Sequence, residues 1–464
     1  MAKKIIFLAV SALLLLVPML TTNTKPDQKS EINNAYLAEF PVLQEGGFRE
    51  GVENYVEDRI GFRTEMITAY QVFCDRAFHK LVHPSYSYGK DGHIWMQDLT
   101  TYQHLDVSKA YVEDFADYVR SLRDLCQGRG VEFLFYLVTN KETIYPEYFP
   151  DGYNIKDQPN RTDLILERLD DKGVAYLYSK ELFLSLKEEE LLYNVKYDAG
   201  HWNRNGEFYG QQQVIHYLNE TFPEMGELER EEFEVTQVLE QYLLNSNFRI
   251  DEMVPQYDLI STEAVRNREI FDQIEVTTPN YYYRHYINEA AMERGAPTVL
   301  IFGDSYFQAC EKFYMNHCGE LVMMHAANMP NAEYYISVFQ PDVVIFESVE
   351  RGLLGSRDVF KKNKRCYDLS AALNGETVSA EQVSLDVNLE TLKAEAMDHE
   401  IVSVSGNLDK ATVSDPSGVL ALKAVLNGKE YDPIFDRNAL SYHFSFRAED
   451  IAAASEISFF ALCE

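Results

Sequence analysis

The sequence predicts an α/β fold with a mostly parallel central sheet, followed by a small β-sandwich. Between about residues 108 and 346, apolar runs typical of strands buried on both faces alternate with helical stretches. Beyond the basic segment Lys361–Arg365 this alternation stops, and strands with period-two patterns follow. We therefore expect two folded domains after an N-terminal segment, with the boundaries 1–25, 26–365 and 366–464.

The elements of the α/β part are expected in a regular order. Tyr88–Trp95, at its start, is typical of two strands joined by a glycine turn. A helix is predicted from Ser108, a candidate N-cap, to Arg129, and the apolar run Val131–Val138 then forms a buried strand. The further predicted elements are a helix over 161–171, strands over 174–178, 298–302, 321–324 and 343–346, and a helix start over 307–314.

Two regions depart from this alternation. Residues 222–280 are acidic, and we predict that they form an insertion over the site, with the charge run Glu227–Glu232 as a solvated helical face. Strand patterns at 401–404, 419–425 and 442–446, with the hairpin signal Asn427-Gly428, predict the C-terminal β-sandwich. This module either binds carbohydrate or serves packing and partner docking.

The composition excludes two classes of protein. With 46% apolar and 25% charged residues, the chain has the make-up of a globular protein rather than a disordered one. Its 42 Lys and Arg against 74 Asp and Glu give a net charge of −32, which would repel the phosphate backbone of a nucleic acid. We therefore expect no nucleic-acid partner.

The N-terminus carries an export signal. Lys3 and Lys4 precede the apolar run Ile5–Leu20, whose length lies between that of a signal peptide and that of a membrane span. No Ala-x-Ala cleavage site follows, so we predict an uncleaved signal anchor, with a cleaved signal peptide and secretion as the alternative. Both place the rest of the chain outside the cytoplasmic membrane, because the two lysines stay in the cytoplasm.

The six cysteines are too few for a disulfide framework in a chain of this length. Cys366 with Cys463, and Cys310 with Cys318, are candidate disulfides, whereas an anaerobic host would leave all six as thiols. No spacing is typical of a zinc site, and we expect neither a metal nor another cofactor.

A candidate nucleophile follows the predicted strand at residues 298–302. The sequence Gly303-Asp304-Ser305 puts Ser305 at the carboxyl end of a buried strand, where open α/β sheets hold their sites. The backbone N–H of Ser305 would lie near the start of the following helix, where it can donate to an oxyanion. Taken alone, Gly-Asp-Ser is most often a turn.

A candidate base and its partner lie earlier in the chain. Asp198 stands three residues before His201, so its carboxylate can fold back and accept the ring Nδ1–H. This contact fixes the tautomer and leaves Nε2 to take a proton from a serine. Taken alone, the Asp-x-x-His spacing is most often a capped helix start. Together the two pieces predict a Ser305–His201–Asp198 set for nucleophilic catalysis.

Several further motifs accompany this set in a fixed order. They are Leu37–Pro41, Asp58–Arg63, Gly89–Gly92, Asn140–Glu147, His201–Asn203, Gly303–Tyr306, Pro341–Val344 and Glu350-Arg351. With these motifs the chain resembles the AlgX/AlgJ family of SGNH-hydrolase-like, DHHW-type proteins, from alginate and related polysaccharide O-acetylation. The resemblance covers about residues 33–351 and implies an SGNH-hydrolase-like domain with three α/β/α layers.

The resemblance also implies the order of the site residues, because the family carries its Asp–His pair before the serine. Where the family commonly has Asp-x-His-Trp, this chain has Asp198-Ala199-Gly200-His201-Trp202. We expect Gly200 to absorb the extra residue, which makes the assignment of Asp198 the one that depends most on local geometry.

Other residues are expected to hold the oxyanion or the substrate. The candidates are Gly303, Asp304, Lys141, Tyr306 and Asn328. The family has a lysine at the position of Lys141, for which a salt bridge to Glu350 is the alternative. Arg351 is expected to be structural and Trp202 to pack beneath the histidine loop. Tyr281–Arg284 either lines a sugar groove or forms a tyrosine-rich strand.

The function that the resemblance implies is O-acetylation of an exopolysaccharide or cell-wall glycan through an acyl-serine. The same residues would support a carbohydrate esterase that removes acetyl groups, and a non-catalytic glycan-binding or scaffold protein is a third hypothesis. The implied partners are a polysaccharide acceptor and a membrane-bound O-acyltransferase of the MBOAT type that supplies the acetyl group. The charge of −32 favours a neutral or weakly charged glycan, because a polyanion would be repelled over about 8 Å.

Overall fold

The protein is described here from a computed structural model. The described residues are 2–29, 36–41, 47–83, 85–96, 108–150, 160–244, 246, 248–267, 270–276, 282–354, 381–397, 399–408, 413 and 418–463. The predicted boundary at residue 365, Cys366 and Tyr281 lie outside them, so the proposed Cys366–Cys463 bond and the domain boundaries stay predictions.

A mixed, mostly parallel sheet of seven strands forms the centre of the α/β part. Its strands lie in the order β4-β3-β11-β9-β10-β8-β7, and the first five of them run parallel. The last two pair antiparallel at one edge. These strands are β3 (Glu132–Val138), β4 (Tyr176–Tyr178), β7 (Val265–Arg266), β8 (Arg284–Ile287), β9 (Thr298–Gly303), β10 (Glu320–His325) and β11 (Val343–Val349). The predicted fold class is confirmed.

Helices cover both faces of this sheet. The strand residues alternate between two separate apolar cores, so that Phe133 and Phe135 enter one core while Leu134 and Tyr136 enter the other. The described helices are α1 (Ala2–Leu20), α2 (Phe48–Arg59), α3 (Arg63–Phe78), α4 (Lys109–Gly128), α5 (Lys141–Ile144), α6 (Arg161–Asp171), α7 (Lys180–Leu186), α8 (Arg204–Asn219), α9 (Glu289–Glu293), α10 (Glu311–Tyr314), α11 (Ala332–Phe339), α12 (Leu389–Glu395) and α13 (Ala448–Ala453). Helices α4, α6 and α11 pack on one face and α7, α8 and α10 on the other.

The acidic insertion is a long hairpin rather than a helix. The hairpin consists of β5 (Phe233–Tyr242) and β6 (Arg249–Leu259), which pair antiparallel. The prediction of a helical face for Glu227–Glu232 is wrong. These residues form only a short 3₁₀ turn, Arg230–Glu232, whose start is capped by the side chain of Glu232 as it accepts the backbone N–H of Glu229, and strand β5 follows directly at Phe233.

Two small antiparallel sheets form the C-terminal part, as the sequence predicts. One has the order β12-β18-β14-β15 and the other β13-β17-β16, around a common apolar core. Their strands are β12 (Glu381–Ser384), β13 (Ile401–Asn407), β14 (Val419–Leu426), β15 (Lys429–Tyr431), β16 (Ile434–Asp436), β17 (Ser441–Arg447) and β18 (Ile457–Cys463). They pack onto the α/β part through buried polar contacts, of which Arg447 with Glu320 at 2.7 Å is one. Whether this module binds carbohydrate stays a prediction.

The N-terminal part begins with the helix α1. By length and composition alone this helix is able to cross a membrane, although a signal sequence would pass the same test. Between α3 and β3, strands β1 (Tyr86–Tyr88) and β2 (Ile94–Met96) form the expected hairpin. Its residues Tyr86 and Ile94 share a small apolar core with Ala199 of the predicted histidine loop.

The candidate disulfide between Cys310 and Cys318 does not form. Both residues are buried thiols, and burial raises the pKa of each. The Cys310 thiol instead donates to the carbonyl oxygen of Tyr306 at 3.3 Å. Their short separation in sequence therefore does not bring the two thiols together as a disulfide.

Candidate active site

Ser305 lies at the carboxyl end of β9, in the middle of the central sheet. It begins a 3₁₀ turn, Ser305–Phe307, and the helix predicted over 307–314 is only the short α10. The carbonyl of Tyr306 explains this difference, because it accepts the indole N–H of Trp202 at 3.2 Å and the thiol of Cys310, in place of a helical amide. Ser305 therefore lies on a tight turn rather than at a long helix.

His201 and Asp198 complete the arrangement that the sequence predicts. The distance from His201 Nε2 to Ser305 Oγ is 2.9 Å, and that from His201 Nδ1 to Asp198 Oδ1 is 2.7 Å. Both distances are those of hydrogen bonds, and the order serine–imidazole–carboxylate is that of a nucleophile, its base and the group that orients the base.

The extra residue in the Asp-Ala-Gly-His spacing is taken up by the backbone at Asp198. This residue has φ +43°, in the left-handed region, which Asp tolerates better than most side chains. The N–H of His201 donates back to the carbonyl of Asp198, so that the segment closes as a turn. Gly200 lies against the sulfur of Met96, and a Cβ added to Gly200 would meet that sulfur. The spacing is thus compatible with the hydrogen bond between the two side chains.

Three buried or half-buried side chains hold the segment 194–201, which we call the histidine loop. The amino group of Lys141 donates to the carbonyls of Val195 and Ile94 at 3.0 and 2.9 Å. The hydroxyl of Tyr306 donates to the carbonyl of Gly200 at 2.9 Å and accepts from Arg351 at 2.9 Å. Arg351 is therefore structural, as expected.

The third side chain, Glu252 of the hairpin, was not predicted from the sequence. Its carboxylate accepts three consecutive backbone N–H groups, from Val195 at 2.7 Å, Lys196 at 2.9 Å and Tyr197 at 2.6 Å. Lys196 in turn donates to the carbonyl of Ile250 at 3.1 Å. No sequence signal pointed to Glu252, because it lies in an acidic region where one carboxylate cannot be told from another.

Lys141 does not face the candidate nucleophile. It is 1% exposed, and its pKa is lowered to about 7 by burial, which outweighs the charges of Glu252 and Asp198. The alternative salt bridge to Glu350 is wrong, because Glu350 accepts from the backbone N–H of Asn140 and the hydroxyls of Thr143 and Tyr178. The structure gives Lys141 contacts with the histidine loop rather than with the cleft.

The turn around Ser305 leaves its own backbone N–H as the candidate oxyanion donor. The N–H of Asp304 donates to Glu347 at 2.8 Å, and the N–H of Tyr306 donates to the carboxylate of Asp304 at 2.8 Å. Asp304 also accepts from the backbone of Val349 at 2.9 Å, so it shapes the turn. Within the part of the chain that the structure describes, the N–H of Ser305 has no such partner.

Two further candidates take up structural positions near this turn. Gly303 permits the close approach of Phe307 and Glu347, which a Cβ would meet at 3.0 and 3.1 Å. Asn328 is fully buried, where it accepts from the hydroxyl of Tyr335 and donates to the carbonyl of His325. Asn328 therefore does not line the cleft over Ser305, and its position after a predicted strand could not show that it is enclosed in the core.

A cleft of about 450 Å³ opens over the three residues. One wall is formed by the hairpin β5–β6 and the loop that joins its strands, through Glu240, Leu244, Val254, Pro255 and Gln256. The insertion therefore borders the site. Arg284 lines the cleft, whereas Tyr283 is buried in the core and precedes β8, which begins at Arg284, so the described tyrosines of 281–284 do not form a strand.

The floor of the cleft carries one ion pair that was not predicted. Arg204 and Glu207, on the first turn of α8, pair with each other, and Glu207 is 6% exposed. Burial raises the pKa of Glu207, against the opposing charge of Arg204. Arg284 pairs with Glu311 at 3.3 Å. Each of the two arginines that line the cleft therefore has a carboxyl partner, and the charge of the acceptor stays a prediction.

The described residues contain no group of three or more His, Cys, Asp or Glu that could hold a metal ion. The expectation that the chain needs no cofactor stays a prediction. The functional groups that the site does offer are a hydroxyl, an imidazole, a carboxylate and a backbone N–H. This set is able to form and break an ester by way of an acyl-serine.

The α/β sheet with its serine, histidine and aspartate defines a class of protein, the SGNH hydrolase-like acyltransferases and esterases. Residues 87–317 match the family model described as "SGNH hydrolase-like domain, acetyltransferase AlgX". This segment contains Asp198, His201 and Ser305. The resemblance to the AlgX/AlgJ family is thereby confirmed. No curated protein matches the chain.

Solved structures also resemble this chain at low identity. PatB1 of Bacillus cereus has 15% identity and a TM-score of 0.42, over 58% of this chain and 97% of that one. A DHHW family protein from Eubacterium siraeum has 16% identity and a TM-score of 0.41, over 60% and 95%. AlgX of Pseudomonas aeruginosa has 16% identity and a TM-score of 0.38, over 81% and 90%.

Proposed function

We propose that this chain is a membrane-anchored O-acetyltransferase that works outside the cytoplasmic membrane and acetylates hydroxyl groups of a polysaccharide. The observation that carries the proposal is the pair of hydrogen bonds that joins Ser305, His201 and Asp198 at 2.9 and 2.7 Å. The match of residues 87–317 to the AlgX acetyltransferase model supports acetyl transfer as the reaction. The apolar helix α1 supports the anchor.

The first half of the reaction forms an acetyl-serine. His201 Nε2 takes the proton from Ser305 Oγ, and the oxygen attacks the carbonyl carbon of the acetyl donor. Asp198 keeps the ring Nδ1–H oriented and stabilises the imidazolium that forms. The backbone N–H of Ser305 donates to the oxyanion. The donor's leaving oxygen then takes the proton from His201 and departs.

The second half passes the acetyl group to the glycan. His201 takes the proton of a sugar hydroxyl, whose oxygen attacks the acyl carbonyl, and Ser305 leaves with that proton. Transfer rather than hydrolysis requires that a bound acceptor keep water away from the acyl-serine. The hairpin wall of the cleft, with Val254 and Pro255, supports this requirement because it covers one side of the serine.

The alternatives differ in what they predict for the same assay. A carbohydrate esterase would release acetate at a rate that does not depend on the acceptor concentration. A non-catalytic glycan-binding or scaffold protein would bind oligosaccharide without turnover. Two features motivate this third hypothesis, the altered Asp198–His201 spacing and the C-terminal β-module, and the contact between Asp198 and His201 weighs against the first of them. An MBOAT-type membrane partner as the source of acetyl groups remains part of the proposal.

The test is acetyl transfer from a chromogenic ester to an oligosaccharide, together with labelling by a serine-directed phosphonate. We expect labelling at Ser305, transfer that rises with acceptor concentration, and loss of both in Ser305→Ala. Ser458→Ala, at an exposed position of β18 in the C-terminal part, is the matched control that should keep both. Transfer that survives in Ser305→Ala would contradict the proposed nucleophile.

A further inference from the structure

Helix α3 turns an apolar stripe toward solvent. Phe62, which precedes the helix, and Met66, Tyr70 and Phe73 follow one another at helical spacing, and they are 49%, 47%, 58% and 58% exposed. A helix on the surface of a globular protein normally shows the opposite arrangement, with its apolar stripe facing the core. We call these four residues the α3 stripe.

The inward face of α3 is polar by comparison and is held firmly. Gln71 is 4% exposed and donates to the carbonyl of Val82 at 2.9 Å, and Asp75 accepts the hydroxyl of Tyr88 at 2.8 Å. The orientation of the helix is therefore set by specific hydrogen bonds. It follows that the α3 stripe cannot turn inward without breaking them.

The α3 stripe begins where α1 ends. The N–H of Gly61 donates to the carbonyl of Pro18, in the last turn of α1, at 2.9 Å. The N–H of Asn23 donates to the carbonyl of Arg59 at 2.8 Å, and a Cβ added to Gly61 would meet Thr21. The junction between α2 and α3 is thus fixed to the outer end of the apolar helix, next to Phe62.

We propose that the α3 stripe lies in the interface of the lipid bilayer that α1 crosses, so that the protein is attached to the membrane at two points. This inference rests on the proposed membrane anchor. If α1 spans the hydrocarbon core, Leu20 is at its outer edge, and the hydrogen bond from Gly61 to Pro18 holds Phe62 at the same depth. Helix α3 has 16 residues, so it extends along roughly 24 Å of the membrane surface, at 1.5 Å per residue.

The residues beside the α3 stripe are less acidic than the rest of the chain, and this suits them to an anionic lipid surface. The segment 62–80 has three basic residues, Arg63, Arg76 and Lys80, against two acidic ones, Glu65 and Asp75, in a chain with net charge −32. Asp75 is also turned inward toward Tyr88. Anionic headgroups therefore meet a locally basic segment, while the acidic body is repelled from them.

Attachment at α3 would fix the height of the cleft above the membrane. Asp75 of α3 is bonded to Tyr88 of β1, and the adjoining β2 ends at Met96, which lies against Gly200 of the histidine loop. Ile94 of β2 and Ala199 of the loop share one apolar core. Through these contacts the histidine loop is connected by continuous packing to α3, the helix that we place at the lipid surface.

The test uses tryptophan fluorescence of the full-length chain, reconstituted as single copies in lipid nanodiscs with or without brominated acyl chains. The variant Phe73→Trp puts a reporter in the α3 stripe, and the native Trp95 and Trp202, at 0% and 3% exposure, give a constant background. Leu14→Trp reports on α1. Met397→Trp, at an 85% exposed position of the C-terminal part, is the matched control.

We expect brominated lipid to quench Phe73→Trp at least about twofold more than Met397→Trp, and to quench Leu14→Trp as well. Quenching of Leu14→Trp with none of Phe73→Trp would overturn the inference while the anchor stands. If neither were quenched, the anchor would fail and the inference with it. If Phe73→Trp stayed unquenched in single-copy discs and its emission shifted only in a second set of discs loaded with two chains, the α3 stripe would be a contact between copies, and the inference would be wrong. Acetyl transfer by Ser305 is measured separately, so a failed inference leaves the proposed activity intact.

Discussion

The carboxylate of Glu252 accepts the backbone N–H of Tyr197 at 2.6 Å, one residue before Asp198. It accepts the two preceding N–H groups as well, so one side chain on the hairpin binds three consecutive residues of the histidine loop. The hairpin thus has two roles at the site. It forms one wall of the cleft, and it positions the loop that carries the candidate base.

Replacing Glu252 by Gln is expected to lower kcat about tenfold, for a loss of ~1.4 kcal/mol, because an amide NH₂ would face backbone N–H groups that the carboxylate now accepts. KM for the acceptor should stay within about twofold, since Glu252 acts through the loop and not on substrate. The measurement is steady-state acetyl transfer. Glu234→Gln, an exposed position on the neighbouring strand, is the control that should leave kcat unchanged. An unchanged kcat in Glu252→Gln would mean that the loop keeps its course without it.

Asp198→Asn is expected to lower kcat by about 10²–10⁴-fold, because the amide no longer stabilises the imidazolium of His201 and can favour the wrong tautomer. The measurement is single-turnover acetylation of Ser305, followed by mass spectrometry. Asp91→Asn is the control, since Asp91 has a similar left-handed backbone, φ +50° against +43°, but lies on an exposed turn. Equal rates in the two variants would remove Asp198 from the catalytic set.

Tyr306→Phe should reduce both stability and kcat, because the hydroxyl bridges Gly200 of the loop and Arg351. We expect a loss of about 1–3 kcal/mol in the free energy of unfolding, the usual cost of a buried polar group left without its partner. Tyr314→Phe is the matched control, since its buried hydroxyl bonds Gln211 at 2.5 Å away from the histidine loop. The unfolding temperature should fall in both variants, whereas kcat should fall only in Tyr306→Phe. A parallel loss of kcat in Tyr314→Phe would make the effect one of general stability.

The interface of the C-terminal part should weaken in acid. Burial alone would raise the pKa of Asp432, but the charges of Arg129 and Lys423 outweigh it and lower this pKa from 3.8 to about 2. Because the pKa of Asp432 is lower in the folded than in the unfolded chain, its ionised carboxylate stabilises the fold fully above about pH 4. This stabilisation is lost as the pH falls from about 4 to about 2. The size of this stabilisation is about 2–3 kcal/mol, at ~1.4 kcal/mol per pKa unit.

Asp432→Asn should therefore lower the unfolding temperature most at neutral pH, and the difference from the unchanged protein should shrink below about pH 4. Circular dichroism between pH 2 and 7 measures this on the full chain. Asp386→Asn, at an exposed position of the same part, should give a small difference at every pH. A difference for Asp432→Asn that stays constant down to pH 2 would contradict the role of the ion pairs.

The central sheet could be predicted from the sequence because its strands are buried on both faces and read as continuous apolar runs. The same criterion places the end of β11 three residues too early. The apolar run stops at Phe346, but the strand continues to Val349 with Glu347 fully buried inside it. Burial and the charge of Asp304 raise the pKa of Glu347, whose carboxyl accepts the backbone N–H of Asp304 below Ser305. A polar residue with such a partner cannot be told from a loop residue by pattern alone.

The sequence by itself predicted the order of the α/β elements and an N-terminal export signal, and it singled out Ser305, His201 and Asp198 as candidates. These depend on local patterns: apolar periodicity, and a spacing at which a carboxylate reaches an imidazole. Only the tertiary structure decided how the set is held. It brings together residues far apart in the chain, so that Lys141 and Glu252 bind the histidine loop from two sides, and Asn328 is enclosed in the core. Long-range contacts of this kind are set by packing of whole elements, and no single stretch of sequence contains them.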